Sequence, residues 1–130
     1  MALVAHYEVL EPGSITLAMG DEHRLLFNPE NDAYLEDTGR RQAILSYMVD
    51  PSSDASGPLD LEVFARLDGR ERRISLVRVT GGQLRTVNST FNPAGLSIGD
   101  NRITFKVTGG AGSLRVYNVV MWYQRNLRIR

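Results

Sequence analysis

Apolar and polar residues alternate with a period of two along most of this chain, which is the pattern of β-strands with one buried and one solvated face. The alternation is clearest over residues 58–69, where the apolar positions are Leu59, Leu61, Val63, Ala65 and Leu67. Asp68-Gly69 then supplies a turn, because glycine accepts the positive φ that a tight hairpin needs. The pattern therefore predicts a hairpin whose second strand covers residues 72–80.

Two further strands are predicted near the C-terminus. The first covers residues 102–108, and a glycine-rich turn at 109–112 connects it to the second, at residues 113–124. Asn118 is a candidate bulge that shifts the phase of the second strand. Residues 119–123 are apolar at every position, so we expect this strand to be central and covered on both faces. Trp122 is accordingly expected in the core or in an interface.

Earlier in the chain the same alternation predicts strands at residues 3–10, 14–19, 23–28, 42–49 and 84–87. Pro93 opens at most one helical turn, and no amphipathic helix of useful length is predicted. Short strands with regular turn signals are typical of sandwiches and barrels. We predict one all-β domain over residues 1–130, an antiparallel β-sandwich of jelly-roll type with about eight to nine strands.

The composition excludes several classes of protein. There is no cysteine, which rules out disulfides and thiolate zinc sites. The net charge of zero argues against nucleic-acid binding, which usually requires a basic surplus. The first residues lack a signal-peptide pattern, and no apolar run approaches the ~20 residues of a membrane span. We therefore expect no membrane partner, and a location in the cytoplasm or in a virion or other particle.

The charge is distributed unevenly along the chain. Residues 1–68 contain thirteen acids and four arginines, a net of −9, whereas residues 69–130 contain two acids, ten arginines and Lys106, a net of +9. Strands of the two halves can interleave in a jelly roll and neutralise each other locally. Alternatively, opposed acidic and basic faces would steer one copy onto another or onto a charged lattice.

Residues 91–107 contain a pattern of the form P-x-x-L-x-x-G-x-N-x-I-x-F-x-V, which begins at Pro93. The stretch resembles the C-terminal half of galactose-binding-domain-like jelly rolls, which occur as accessory modules on glycoside hydrolases and polysaccharide lyases. Its residues suit structural roles, because Gly99 permits a tight turn, Asn101 can bond to nearby backbone, and Leu96 and Ile103 enter a core. The resemblance implies this fold and, by analogy, carbohydrate binding.

A sugar-binding face needs exposed aromatic rings and polar groups that bind hydroxyls. Tyr34, Arg40 and Arg41 lie in the first long polar loop, residues 29–41, and form the candidate ligand site.

A calcium ion prefers oxygen ligands, and the early acidic stretch supplies the candidates Asp21, Glu22, Asp32 and Asp37. The resembled jelly rolls often carry a structural calcium in an early loop. The alternative is a solvated acidic loop, since the spacing of an EF-hand is absent. No other cofactor is expected, because His6 and His23 stand alone in the sequence.

No catalytic constellation is visible, so we expect a protein that is not an enzyme. The basic tail offers Arg125, Arg128 and Arg130 as candidate contacts to a neighbouring subunit. The leading hypothesis is a structural or interaction protein that self-associates or decorates a larger lattice, such as a virion decoration or tail component. It rests on the opposed charges, the basic tail and the lack of an exposed aromatic platform. The alternative is a carbohydrate-binding module or small lectin, with a glycan as partner.

Overall fold

A computed structural model describes residues 2–35, 43–51, 57–80, 84–97 and 101–127. Within these ranges eight β-strands and one 3₁₀ turn follow one another. The strands are β1 (Ala2–Ala18), β2 (Glu22–Phe27), β3 (Ala43–Pro51), β4 (Leu59–Leu67), β5 (Arg70–Val79), β6 (Arg85–Phe91), β7 (Asn101–Gly109) and β8 (Ser113–Leu127). The turn, at Pro93–Gly95, is the single helical turn that the sequence predicts.

The strands form two four-stranded antiparallel sheets. The first sheet has the order β1-β8-β3-β6, and the second has the order β2-β7-β4-β5. Apart from the β4–β5 hairpin, successive strands cross between the sheets in the arrangement of a jelly roll. The predicted all-β antiparallel sandwich is therefore confirmed, with eight strands in the described part of the chain.

Alternating side chains of both sheets fill the space between them. In β4, Leu59, Leu61, Val63 and Ala65 are fully buried, as the period of two predicts. The ring of Tyr47 on the first sheet packs edge-on against Phe105 on the second, with 5.3 Å between ring centroids. The Tyr47 hydroxyl lies 3.1 Å from the Ser75 hydroxyl across the core, so its polar end is satisfied despite burial.

The bulge predicted in β8 is confirmed. Asn118 adopts a φ of 50°, and the ladder with β3 shifts register between Ser46 and Met48. Leu114 and Val116 point inward before the bulge, whereas the inward positions after it are odd-numbered: Val119, Met121 and Tyr123.

One expectation for β8 is wrong. The strand is central in its sheet, between β1 and β3, but the described residues do not cover its outer face. Trp122 lies on that face and is 40% exposed. Residues 119–123 look buried on both faces in the sequence, because their inward-pointing and their solvent-facing side chains are all apolar.

Two predicted strands, residues 3–10 and 14–19, are merged in β1. All of β1 pairs with β8, with register shifts between Val9 and Glu11 and between Glu11 and Ser14. Pro12-Gly13 lies within the second shift. A bulge at this point keeps both halves on the same partner strand.

The residues that carried the sequence resemblance have the expected structural roles. Leu96 and Ile103 are buried in the core. Asn101, which is 2% exposed, accepts a hydrogen bond from the Ser97 backbone N–H at 3.0 Å and donates one to the Ser97 carbonyl at 2.7 Å. Gly99 lies outside the described residues.

Charges of the two halves pair inside one sandwich. Four ion pairs among the described residues join an acid of residues 1–68 to a base of residues 69–130: Asp32–Arg125, Asp60–Arg78, Glu62–Arg73 and Glu22–Lys106. This arrangement matches the interleaved interpretation of the charge pattern. None of the helices in the described ranges is long and apolar enough to span a membrane.

Candidate functional site

The outer face of the first sheet brings together residues that lie far apart in sequence. The ladder pairs Tyr7 with Trp122, Trp122 with Ile44 and Ile44 with Thr90, which gives a row across all four strands. The next row along the strands is Val9, Val120, Ser46 and Asn88. We call these eight residues the aromatic face.

Two large rings are exposed on the aromatic face. Tyr7 is 56% exposed and Trp122 is 40% exposed. Their centroids lie 5.1 Å apart and their planes are tilted by 40°. The two rings thus form one continuous but twisted apolar surface, a feature that often marks a binding site.

A shallow hollow of about 360 Å³ lies beside the indole, lined by Ile44, Ser46, Asn88, Thr90 and Trp122. The Ser46 hydroxyl donates to the Asn88 Oδ1 at 2.7 Å. This bond fixes the amide so that its NH₂ group is available to an incoming acceptor. The lining therefore combines a ring, an aliphatic side chain and several neutral hydrogen-bonding groups, with no charged group among the described residues.

A second cluster consists of His6 and Glu8 of β1 and Glu30 of the loop after β2. Their potential ligand atoms all lie within 4.8 Å of one another. The Tyr123 hydroxyl accepts from the Glu30 backbone N–H at 2.9 Å and donates to the Glu8 carboxylate at 3.2 Å. Burial, followed by the charge of Glu8, raises the pKa of Tyr123 to about 12. Among the described residues this is the group whose donor set, one imidazole and two carboxylates, suits a divalent cation.

The described calcium candidates, Asp21, Glu22 and Asp32, bond to different partners. Asp21 accepts the Ala18 N–H in a turn, and Glu22 pairs with Arg24 and Lys106. Asp32 accepts two hydrogen bonds from the Arg125 guanidinium, at 2.6 and 3.0 Å. The Arg125 bonds hold the pKa of Asp32 below its ordinary value. Asp37 lies outside the described residues, and a calcium site remains a prediction.

The other candidates from sequence are only partly described. Tyr34 is half-buried, and its backbone N–H donates to the Gln124 carbonyl at 2.7 Å, so this loop is tied to β8. Arg40, Arg41, Arg128 and Arg130 lie outside the described residues. Arg125, a candidate assembly contact, is engaged by Asp32 of its own chain.

The sequence interpretation missed the aromatic face, and the expected lack of an exposed aromatic platform is wrong. Tyr7 lies in a strand with apolar residues at both parities, and Trp122 lies in the apolar run of β8. For Trp122 the signal is the bulge at Asn118, since counting outward positions from it places Trp122 on the solvent side.

Comparisons with known proteins show where this fold occurs. No protein-family description matches the chain, and no curated protein matches its sequence. Dimeric latent PorU from Porphyromonas gingivalis matches with a TM-score of 0.76 at 9% identity, over 99% of this chain and 13% of PorU. The chain thus spans a small part of that protein.

Other neighbours match over nearly their whole length, among them two xylan-binding modules. The xylan-binding module CBM15 has a TM-score of 0.63 at 17% identity, over 94% of this chain and 97% of the module. The CBM22-1 xylan-binding domain from Paenibacillus barcinonensis Xyn10C has a TM-score of 0.51 at 11% identity, over 95% of each chain. These likenesses show a shared β-sandwich fold, which is the fold that the sequence resemblance implies.

Proposed function

We propose that this protein is a non-catalytic carbohydrate-binding module, and that its aromatic face binds a single chain of a neutral polysaccharide. The observation that carries the proposal is the exposed Tyr7–Trp122 pair, which continues across the sheet into neutral polar groups. This was the alternative function from sequence, and the fold shared with carbohydrate-binding modules supports it. A role in a virion or in self-association has no comparable support.

The chemistry of the face suits sugar rings. The apolar side of a pyranose stacks on an aromatic ring, and its edge hydroxyls need hydrogen-bond partners. Tyr7 and Trp122 offer two adjacent rings, and Ser46, Asn88 and Thr90 offer hydroxyl and amide groups beside them. A polysaccharide lying across the strands would meet the rings first and the polar groups next.

The geometry also favours one kind of polymer presentation. A crystalline polysaccharide surface is flat and would contact coplanar rings, but the planes of Tyr7 and Trp122 differ by 40°. A single chain can twist to follow such a pair. The neutral lining of the hollow favours uncharged sugars, because an anionic group there would lose hydration without a cationic partner.

The test is binding of soluble neutral polysaccharides, such as xylan, glucomannan and mixed-linkage glucan, measured by affinity electrophoresis and calorimetry. Trp122 is the only tryptophan in the chain, so its fluorescence reports occupation of the face directly. We expect W122A and Y7A each to weaken binding at least tenfold, since losing a central aromatic contact costs about 1.4 kcal/mol or more.

L76A is the matched control, because Leu76 is also a large exposed apolar residue but lies on the second sheet. It should bind like the wild type. The proposal fails if none of these polymers binds, or if W122A and L76A bind equally well.

A further inference from the structure

The outer face of the second sheet carries a group of arginines at the end that holds the β4–β5 turn. The ladder pairs Arg102 with Leu26 and Ile103 with Ala65, which places Arg66 directly beside Arg102. Both arginines line a hollow of about 310 Å³, and its other lining residues are Arg24, Gly69 and Glu71. We call Arg24, Arg66 and Arg102 the arginine cluster.

Most bases elsewhere on this face have acidic partners. Arg73 bonds to Glu62 at 2.9 Å and Arg78 to Asp60 at 3.0 Å, while Lys106 lies 3.4 Å from Glu22. These pairs leave that part of the face close to neutral.

Within the arginine cluster, Arg24 also bonds to Glu22, at 3.1 Å. Arg66 and Arg102 are different, because among the described residues no carboxylate lies within 4.0 Å of either. Glu71 pairs with Arg66 in the β4–β5 ladder and lines the hollow, but its oxygens are engaged elsewhere. One accepts from the Thr104 hydroxyl at 3.2 Å and the other lies 3.8 Å from Lys106. Like charges side by side on neighbouring strands destabilise a sheet. An anion between the two guanidinium groups would remove that repulsion.

We propose that the arginine cluster is a second binding site, which takes an oxyanion carried by a polysaccharide, either a uronate carboxylate or a sulfate ester. Both groups present paired oxygens that match the planar donor fork of arginine. The hollow opens beside another of about 450 Å³, and Arg66 and Gly69 line both. The joined surface runs past Asp68 toward Ser97 and Asn101, which gives a chain more room than an isolated ion needs.

This site lies on the opposite sheet from the aromatic face and uses different residues, but the choice of a polysaccharide as carrier of the oxyanion rests on the function proposed above. Occupation of both would let one module contact two chains, or two stretches of a polymer that carries acidic and neutral segments. The charge on the ligand separates the two sites, because the aromatic face has no cation in its lining among the described residues.

The probes are polygalacturonate for the carboxylate and carrageenan for the sulfate ester, measured by calorimetry at one fixed ionic strength. We expect at least one to bind, and R66Q and R102Q each to weaken that binding tenfold or more. R85Q is the matched control, since it removes the same charge from an exposed arginine on β6 of the first sheet. It should bind like the wild type, as should W122A, so failure of one site is distinguished from failure of the other.

Thermal unfolding provides a second readout. Without ligand, R66Q and R102Q should melt at the same temperature as the wild type or higher, because each removes a like-charge contact. Three outcomes would overturn the proposal: neither polymer binds, R85Q weakens binding as much as R66Q, or single-stranded DNA of equal charge competes as well as the bound polymer.

Discussion

Trp122 and Tyr123 are adjacent residues with opposite environments. The Trp122 ring is exposed beside Tyr7, whereas Tyr123 is 3% exposed and packs edge-on against Phe27 at 5.5 Å. The Tyr123 hydroxyl also joins the loop after β2 to β1, through Glu30 and Glu8. A substitution at Trp122 should therefore affect binding, whereas a substitution at Tyr123 should affect stability.

Ionisation of Tyr123 should lower the free energy of unfolding at alkaline pH. Its folded pKa of about 12 lies above the ordinary tyrosine value of 10.0, so the folded protein keeps a proton that the unfolded chain releases. The contribution is constant below pH 10 and is lost as pH rises from 10 toward 12. The total loss is about 3 kcal/mol, because one pKa unit corresponds to about 1.4 kcal/mol.

Urea unfolding at a series of pH values between 8 and 11.5 measures this loss. Y123F should be less stable than the wild type at pH 8, since it lacks both hydroxyl bonds, but should lose less stability as the pH rises. Y7F is the control, because Tyr7 is exposed, and it should follow the wild-type curve. Parallel curves for Y123F and Y7F would contradict this assignment.

At the scale of elements, sequence periodicity predicts most strands and turns because local sterics and one-sided burial determine them. The β4–β5 hairpin, the Asn118 bulge and the Pro93 turn all follow from short segments. Which face of an apolar strand meets solvent does not follow, since the answer depends on the partner strands. Tyr7 and Trp122 come together only through a ladder between residues more than a hundred positions apart.

The turn between β7 and β8 depends on a glycine for two reasons. Gly110 has a φ of +99°, and a Cβ there would overlap the Pro58 carbonyl oxygen and lie 3.0 Å from the Leu59 Cα. Gly20 has a similar φ of +88° but open space around it. G20A should therefore cost only the backbone strain, about 1 kcal/mol.

G110A should cost about 3 kcal/mol or more, because strain and overlap with backbone atoms act together. Chemical denaturation of both variants separates the two contributions. Equal losses of unfolding free energy would mean that the backbone at residues 58–59 moves aside without cost.

At the scale of the whole molecule, the opposed charges of the two halves become neighbours. The jelly roll places β2 beside β7 and β4 beside β5, so acids of the first half face bases of the second. The fold class could be predicted from periodicity and from the pattern at Pro93. The pairing of charges could not, because net charge by sequence segment carries no information about which strands become adjacent.

We therefore expect the purified protein to be monomeric at both low and high salt, as measured by light scattering after size exclusion. The internal ion pairs leave each half with fewer free charges to attract another copy. High salt should lower stability only slightly, since exposed pairs contribute about 0.2–1 kcal/mol each. An oligomer that dissociates in salt would contradict this expectation and restore the self-association hypothesis.

The ladder between β1 and β8 also governs how the protein is made. Ala2 is paired with Leu127 and Ala18 with Ser113, so β1 has its hydrogen-bonding partner in the last of the eight strands to be synthesised. Its backbone groups have no partner strand until β8 has been made. Because such distant pairing must overcome the entropy of closing a long loop, the folding step that joins β1 to β8 should be slow. During that interval the apolar strand that carries Tyr7 is open to chaperones and to aggregation with other nascent chains.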